Sequence, residues 1–341
     1  YVDNNLAGND VTEGTFTGNI SADATQGKAP YEGLAKLIAN DTFTPNKTVP
    51  NNSIDYKYDT THNLMEDIDG NIRYYGASPN NYIYFNCDDY SNQSSSTCEV
   101  WRIIGVFEGK VKIMRGSQIG SLAWDQDKNI DSSKTTYDND WSTSSLQVLL
   151  NTSYLNRTAN VTYYSGSGGT TTTTVSTSTI GIKDSTRNMI SESMWYLRGW
   201  NNTSVYSDQM YNYERTTGRV YNETTRDKSW TGKIALAYPS DYGYAADFGQ
   251  CKKTLYGYDD STCTSNNWMK TIITNNGGNV GWLLTPNSGN ARAWRVYSAG
   301  DVYHSYDTYL AYGAVPVLYL GSELEIKAGD GKSDSPYQLS A

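Results

Sequence analysis

The sequence predicts a mixed α+β domain built on twisted antiparallel hairpins, flanked by two helices and stapled by two local disulfides. Three observations predict it. Short apolar runs with strand alternation are separated by Gly-containing turns, two apolar segments have a helical period, and four cysteines fall into two near pairs.

Among 341 residues there are 30 Tyr and 9 Trp, and a hydrophobic fraction of 37% suffices for a core once the tyrosines are counted as partly buried. Charged residues make up only 18%, so the surface is polar through hydroxyl and amide groups, which suits an extracellular setting. A net charge of −9 argues against nucleic acid, because a phosphate backbone needs a basic face that releases counterions. No apolar run approaches the roughly 18 residues of a membrane helix. The chain begins at Tyr1 without Met, which reads as a mature exported product.

Cys87 lies close to Cys98 and Cys251 close to Cys263, each pair enclosing a short polar loop. Four cysteines allow three connectivities, of which loop-local pairing is favoured. A zinc site would want CxxC spacing with histidine partners, and only His62 and His304 are present. On the chain-entropy model, closing a loop of about 12 residues stabilises by ~3 kcal/mol. Both bridges imply an oxidising compartment.

The elements follow in order. Residues 1–72 are rich in Asn, Asp, Thr and Gly and form an N-terminal region with a short helix over 30–40, where Leu34, Leu37 and Ile38 share a face. Asp67, Asp69 and Asn71 faintly resemble a calcium loop, but no Glu follows at the EF-hand distance, so an ordinary Asp-Gly turn is the reading. From residue 73 to 341 one domain is expected. It opens with strands NYIYFNC, EVWRIIGVF and KVKIMRG, with Glu108-Gly109 turning between the last two. Helices are predicted over 145–156, where Leu146, Leu149 and Leu150 align, and over 186–200. Between them a low-complexity insert at about 157–180 reads as an exposed loop or loose hairpin. KIALAY is a short strand leading into a Pro-Ser-Asp turn, and the chain closes with WLLTP, ARAWRVYSAG, DVYHSY, AVPVLYL and LEIKAG. Trp101, Trp124, Trp141, Trp195, Trp282 and Trp294 sit in apolar contexts and read as core anchors. Arg102, Arg292 and Arg295 lie beside aromatics, where a cation over a ring or a surface charge is the default reading.

In order along the chain, YFNC…CEVWRIIGVF, the 145–156 helix, ALAYPSDYGYA, WLLTP, AWRVYSAG and VPVLYL with a terminal GDGKSDSPYQL resemble a family of exported surface proteins of Firmicutes-type bacteria. The resemblance covers about 81–339. The final third is also similar to the C-type-lectin-like fold of the major paralogous domain type and of retroelement-diversified variable proteins. Ala293, Trp294, Val296, Gly300 and Val302 fill that fold's AW-x-V-x-x-x-G-x-V hairpin. Where relatives carry Arg before the proline of VRPVL, this chain has Val315 before Pro316, so a salt bridge there is not carried over. The resemblance implies ligand-binding side chains on the loop between the hairpin and the last strand.

The residues themselves point to the same place, because rigid hydrophobic strands bracket a loop of Tyr, His, Ser and Asp, a composition suited to contact at low entropic cost. The candidate ligand-binding residues are Asn287, Asn290, Arg292, Tyr303, His304, Tyr306, Asp307, Tyr309 and Tyr312. Strand alternation puts Tyr303 and Ser305 on one face and His304 and Tyr306 on the other, with about half of them in the core. His304 reads as a polar surface histidine. Residues 303–309 can all be coded by changing only adenines of an Asn codon, as adenine-directed diversification would yield, although any polar turn draws on the same residue types.

Motifs for catalysis are missing: there is no GxSxG, HExxH or Walker loop, no carboxylate pair that spacing nominates for glycoside hydrolysis, and no cofactor signature. Asn-x-Ser/Thr sequons such as Asn19, Asn40, Asn46, Asn151, Asn156, Asn160, Asn202 and Asn222 are about as numerous as chance gives in this composition. The reading is an exported, non-catalytic, adhesin-like protein binding an extracellular glycan or protein. The alternative is a self-assembling subunit of an extracellular filament or coat that pairs through the N-terminal region.

Overall fold

The computed structural model describes residues 31–126, 138–222 and 226–340. Among them the architecture is mixed α+β, mostly antiparallel, with short helices and two disulfides, Cys87–Cys98 and Cys251–Cys263.

The largest sheet has ten strands, and its path runs Lys47–Asn51, Ile54–Asp59, Leu64–Glu66, Ile72–Tyr74, Glu99–Phe107, Lys110–Arg115, Val317–Leu320 and Ile190–Ser191. Tyr82–Phe85 pairs with the first half of Glu99–Phe107, and Ile234–Ala235 pairs with Val317–Leu320. The expected Glu108-Gly109 turn is present: both residues have positive φ, 50° and 83°, and the flanking Phe107 and Lys110 pair directly. Two such residues form the tight turn that matches strand twist. The pairing of this strand with Lys110–Arg115 shifts register between Ile103 and Gly105, and on its other side Gly105 pairs with Arg73. A Cβ at Gly105 would stand 2.3 Å from the Ile72 carbonyl oxygen, so no larger residue fits. Residues 127–137 and 223–225, and the first 30 residues of the 1–72 N-terminal region, lie outside the described residues.

Three expectations need correction. The boundary drawn at 72/73 falls inside Ile72–Tyr74, which pairs with Leu64–Glu66 on one side and Glu99–Phe107 on the other, so residues 47–72 continue the sheet. The helix over 186–200 is confined to Asp184–Arg187, followed by strands Ile190–Ser191 and Ser193–Tyr196. Ser193, Trp195 and Leu197 are buried alternately, a period of two, and Trp195 pairs with Trp230 across an antiparallel partner. Tertiary pairing has overridden a helical count. The Pro-Ser-Asp segment is the start of a helix, Pro239–Tyr244, with Pro at its first position and Asp241 accepting the Tyr238 N–H at 3.0 Å. Of the two readings of the low-complexity insert, the hairpin is the one present, Val161–Ser165 with Thr171–Val175, and it buries Tyr163 and Val175.

The other two helical segments are where the pattern puts them. Gly33–Lys36 and Ser145–Leu149 begin as α-helix, each then widening into a π-type turn, and they bury Leu34, Ile38, Leu146, Leu149 and Leu150. Ser144 caps the second by accepting from Gln147 N at 3.2 Å. All six tryptophans named above are buried, and they share one core cluster.

Behind the ten-stranded sheet lies a closed group of charges. Asp241 accepts from Arg73 Nη1 at 2.9 Å and from Lys112 Nζ at 2.5 Å, and Arg73 Nε also donates to Asp67 at 2.6 Å. Beside it Glu214 takes Arg215 Nη1 at 2.9 Å, the Ser240 N–H at 2.9 Å and the Ser240 hydroxyl. Three cations thus meet three carboxylates, all buried or nearly so. Desolvation works against the Asp241 carboxylate, but Lys112 and Arg73 outweigh it and hold its pKa down at about 2. Burial, opposed by Arg215 and the Ser240 hydrogen bonds, pushes Glu214 up to about 7.

Removing one member of such a group leaves its partners charged and dry. Asp241→Ala is expected to cost about 3–5 kcal/mol of unfolding free energy. Lys57→Ala, which breaks a solvent-facing pair with Glu66 at 3.0 Å, should cost below about 1 kcal/mol. Equal losses in urea denaturation would contradict this account of the group.

Candidate ligand-binding face

A second sheet of five strands carries the predicted loops, in the order Val302–Tyr303, Ala293–Val296, Gly281–Pro286, Tyr312–Gly313 and Ser121–Leu122. Arg295 stands opposite Tyr303 on one side and Trp282 on the other, so these three side chains share a face. Tyr297, two residues beyond Arg295, joins them. The turn after Ala293–Val296 closes with Tyr297 N–H donating to the Asp301 carbonyl at 2.8 Å. Gly300 (φ 120°) allows that turn, and its carbonyl accepts from the Tyr242 hydroxyl at 2.9 Å. A Cβ there would lie 2.8 Å from Thr264.

The alternation expected over 303–306 holds for three of the four residues. Tyr303 and Ser305 are on the Arg295 side, Ser305 Oγ accepting from Arg295 Nη2 at 3.0 Å. His304 leans toward the other side, its ring 4.7 Å from that of Trp294, while also stacking on Tyr303 at 5.4 Å. Tyr306 does not follow it. The strand ends at Tyr303, and Tyr306 lies over the guanidinium of Arg295 at 4.1 Å.

His304 is not a surface histidine. The Gly289 N–H donates to Asn287 Oδ1 at 2.6 Å, so the amide turns its Nδ2 toward the imidazole, and Nδ1 accepts from it at 2.5 Å. Burial lowers the imidazole pKa below its usual 6.5, and Arg292 and Arg295 act in the same direction. Asn287 itself is fully buried, a positioning residue with no surface to offer a ligand. Asn290 Oδ1 accepts the Arg292 N–H at 3.2 Å. Arg292 Nε donates to Asp307 at 3.1 Å, and the Tyr309 hydroxyl donates to the other Asp307 oxygen at 2.9 Å. These three tie the 287–292 loop to the 304–311 loop.

Sequence reasoning missed the residues that hold both loops from behind. The Asn139 amide nitrogen donates to the carbonyls of Asn287, Asn290 and Arg292 at 2.8, 3.0 and 2.6 Å, and its oxygen accepts from Arg226 Nη1. The Thr308 carbonyl takes the N–H groups of Trp124 and Asp125, and Gly166 at the tip of the inserted hairpin donates to the Tyr309 carbonyl at 2.7 Å. An Asn in a polar run carries no signal of such a role.

What remains outward is aromatic. Tyr256, Tyr297 and Tyr306 are 52%, 42% and 45% exposed, and Tyr256 packs against half-buried Tyr303 at 5.6 Å. Tyr312 is half-buried between Trp282 and Tyr306. A separate cavity of about 90 Å³ opens at the edge of the ten-stranded sheet, walled by Phe107, Tyr196, Tyr211 and Tyr319 with Arg215 beneath. Among the described residues no helix is long and apolar enough to cross a membrane, and no group of His, Cys, Asp and Glu could hold a metal. The chain matches no family model, no curated protein and no solved structure.

Protonating His304 would turn an acceptor into a donor facing another donor. Because its folded pKa is depressed, the unfolded chain takes up the proton first, and the stability present above about pH 6.5 is lost as pH falls below it. The unfolding free-energy difference between wild type and His304→Gln should therefore shrink between about pH 7.5 and about pH 5.5. A difference independent of pH would remove His304 from this role.

Proposed function

We infer that this chain is an extracellular, non-catalytic binding protein of adhesin type, with a C-type-lectin-like domain that recognises a glycan through the tyrosine face. The observation that carries the reading is the gathering of Tyr256, Tyr297, Tyr303 and Tyr306 on the rim of one rigid sheet, three of them roughly half exposed. Tyrosine offers a flat ring to the apolar side of a sugar and a hydroxyl to its edge, and with two side-chain torsions it loses little entropy when held. Support comes also from the loops beneath, which are fixed by hydrogen bonds before any ligand arrives, so that little ordering cost falls on binding. The two disulfides fit an oxidising setting outside the cell.

The filament or coat reading keeps one observation in its favour: Lys47–Asn51 is an edge of the ten-stranded sheet. Lys47 and Pro50 on that strand are the residue types that blunt edges against further pairing, so it ranks second.

A glycan array probed with wild type and with the Tyr297→Ser, Tyr303→Ser, Tyr306→Ser triple variant tests the assignment. The variant should keep its melting temperature within a few degrees and lose at least about tenfold in apparent affinity, ~1.4 kcal/mol. An unchanged array pattern in the folded variant would sink the site.

A further inference from the structure

Resting on that reading, we propose that the glycan recognised at this face carries a carboxylate, and that Arg295 is the residue that binds it once the Tyr306 ring swings aside. The unusual feature is the state of the guanidinium. Arg295 is 1% exposed, and only its Nη2 has a hydrogen-bond acceptor, the Ser305 hydroxyl. Its Nε and Nη1 are buried with none. Among the described residues no carboxylate lies within ion-pair distance of it, and Asp307 on the neighbouring loop is already held by Arg292 and Tyr309.

Burying a cation without a counter-ion is costly, and a protein normally meets the cost with a partner. This chain does so elsewhere: Arg73 and Lys112, as deeply buried, are matched by Asp67 and Asp241. At Arg295, besides the Ser305 hydroxyl and a longer-range attraction from Asp301, it supplies only rings, with Tyr306, Tyr312 and Tyr297 at 4.1, 5.4 and 5.5 Å from the guanidinium carbon. Rings return part of the lost hydration and leave the planar donor edge unused. Ser305 takes one of the two Nη2 N–H groups, so the other Nη2 N–H and its unmatched neighbour, Nε or Nη1, form a free edge whose two parallel donors match the two oxygens of a carboxylate.

Access depends on Tyr306. It is the nearest ring to Arg295 and roughly half exposed, so turning it outward gives up its cover of the guanidinium and an edge contact with Tyr312 at 6.3 Å. Tyr297 and Tyr303 then remain beside the opened cation to stack on the sugar ring. With a chain net charge of −9, long-range attraction does not draw an acidic glycan in, so selectivity rests on this local cation.

Calorimetry of the full chain with trigalacturonic acid, its neutral counterpart galactotriose and a sulfated galactose trisaccharide tests the proposal. The acidic trisaccharide is expected to bind at least about tenfold more tightly than the neutral one, and Arg295→Gln to erase that preference. Tyr306→Ser, which leaves the core intact if the Arg295 variant fails to fold, should tighten the uronate and weaken galactotriose. Equal affinity for uronate and neutral sugar would overturn the proposal and leave the tyrosine face standing as a neutral-glycan site. A preference undiminished in folded Arg295→Gln would also overturn it. Sulfate binding as tight as uronate would overturn the carboxylate assignment. Absence of binding by all three would overturn the proposal, while array binding lost in the triple tyrosine variant would still uphold the face.

Discussion

The contact of Asp241 with Arg73 and Lys112 fixes how the rest of the molecule is arranged. Arg73 comes from the fourth strand of the large sheet, Lys112 from a central strand, and Asp241 from the first turn of a helix well over a hundred residues further on. An apolar contact would specify that meeting less narrowly, because the Asp241 carboxylate must face two cations and the Tyr238 N–H at once. The helix so placed carries Tyr242, whose hydroxyl holds the Gly300 carbonyl. Gly300 in turn lets the hairpin turn that sets Tyr297 and Tyr303 side by side. A buried charge group behind one sheet therefore positions an aromatic rim on the other.

Much of the strand framework was legible because alternation and turn chemistry agree. Glu108-Gly109 lies between two apolar strands, and tryptophans in apolar runs have few alternatives to a core. What failed had specific causes. Residues 186–200 match a helical count about as well as a strand, and only the pairing of Trp195 with Trp230 decides between them. The Pro239 segment reads equally as a turn or a helix start, since Pro followed two positions later by Asp opens helices as well. Lys112 between Val111 and Ile113 was visible as a charge in a buried strand, yet its partners are remote in sequence and no pattern in one chain joins them. The 303–312 loop is legible from composition alone, while Asn139 and Arg226, which hold the 287–292 loop beside it, are not.

The buried cations differ in how their charge is met. Arg102 gives its Nε to Asn81 at 2.6 Å and lies 3.7 Å over the Tyr82 ring, so neutral groups serve it. Arg73 and Lys112 have carboxylates. Arg295 has neither a carboxylate nor acceptors for two of its nitrogens, and it is the one that lies under exposed rings at a loop-bearing edge.

Location of binding is the central claim, and nuclear magnetic resonance of ring-labelled tyrosine in the full chain tests it most directly. On titration with a glycan selected from an array, the account predicts shifts at Tyr256, Tyr297, Tyr303 and Tyr306 and none at Tyr196, Tyr211 and Tyr319 around the small cavity. Shifts confined to the cavity tyrosines would contradict it.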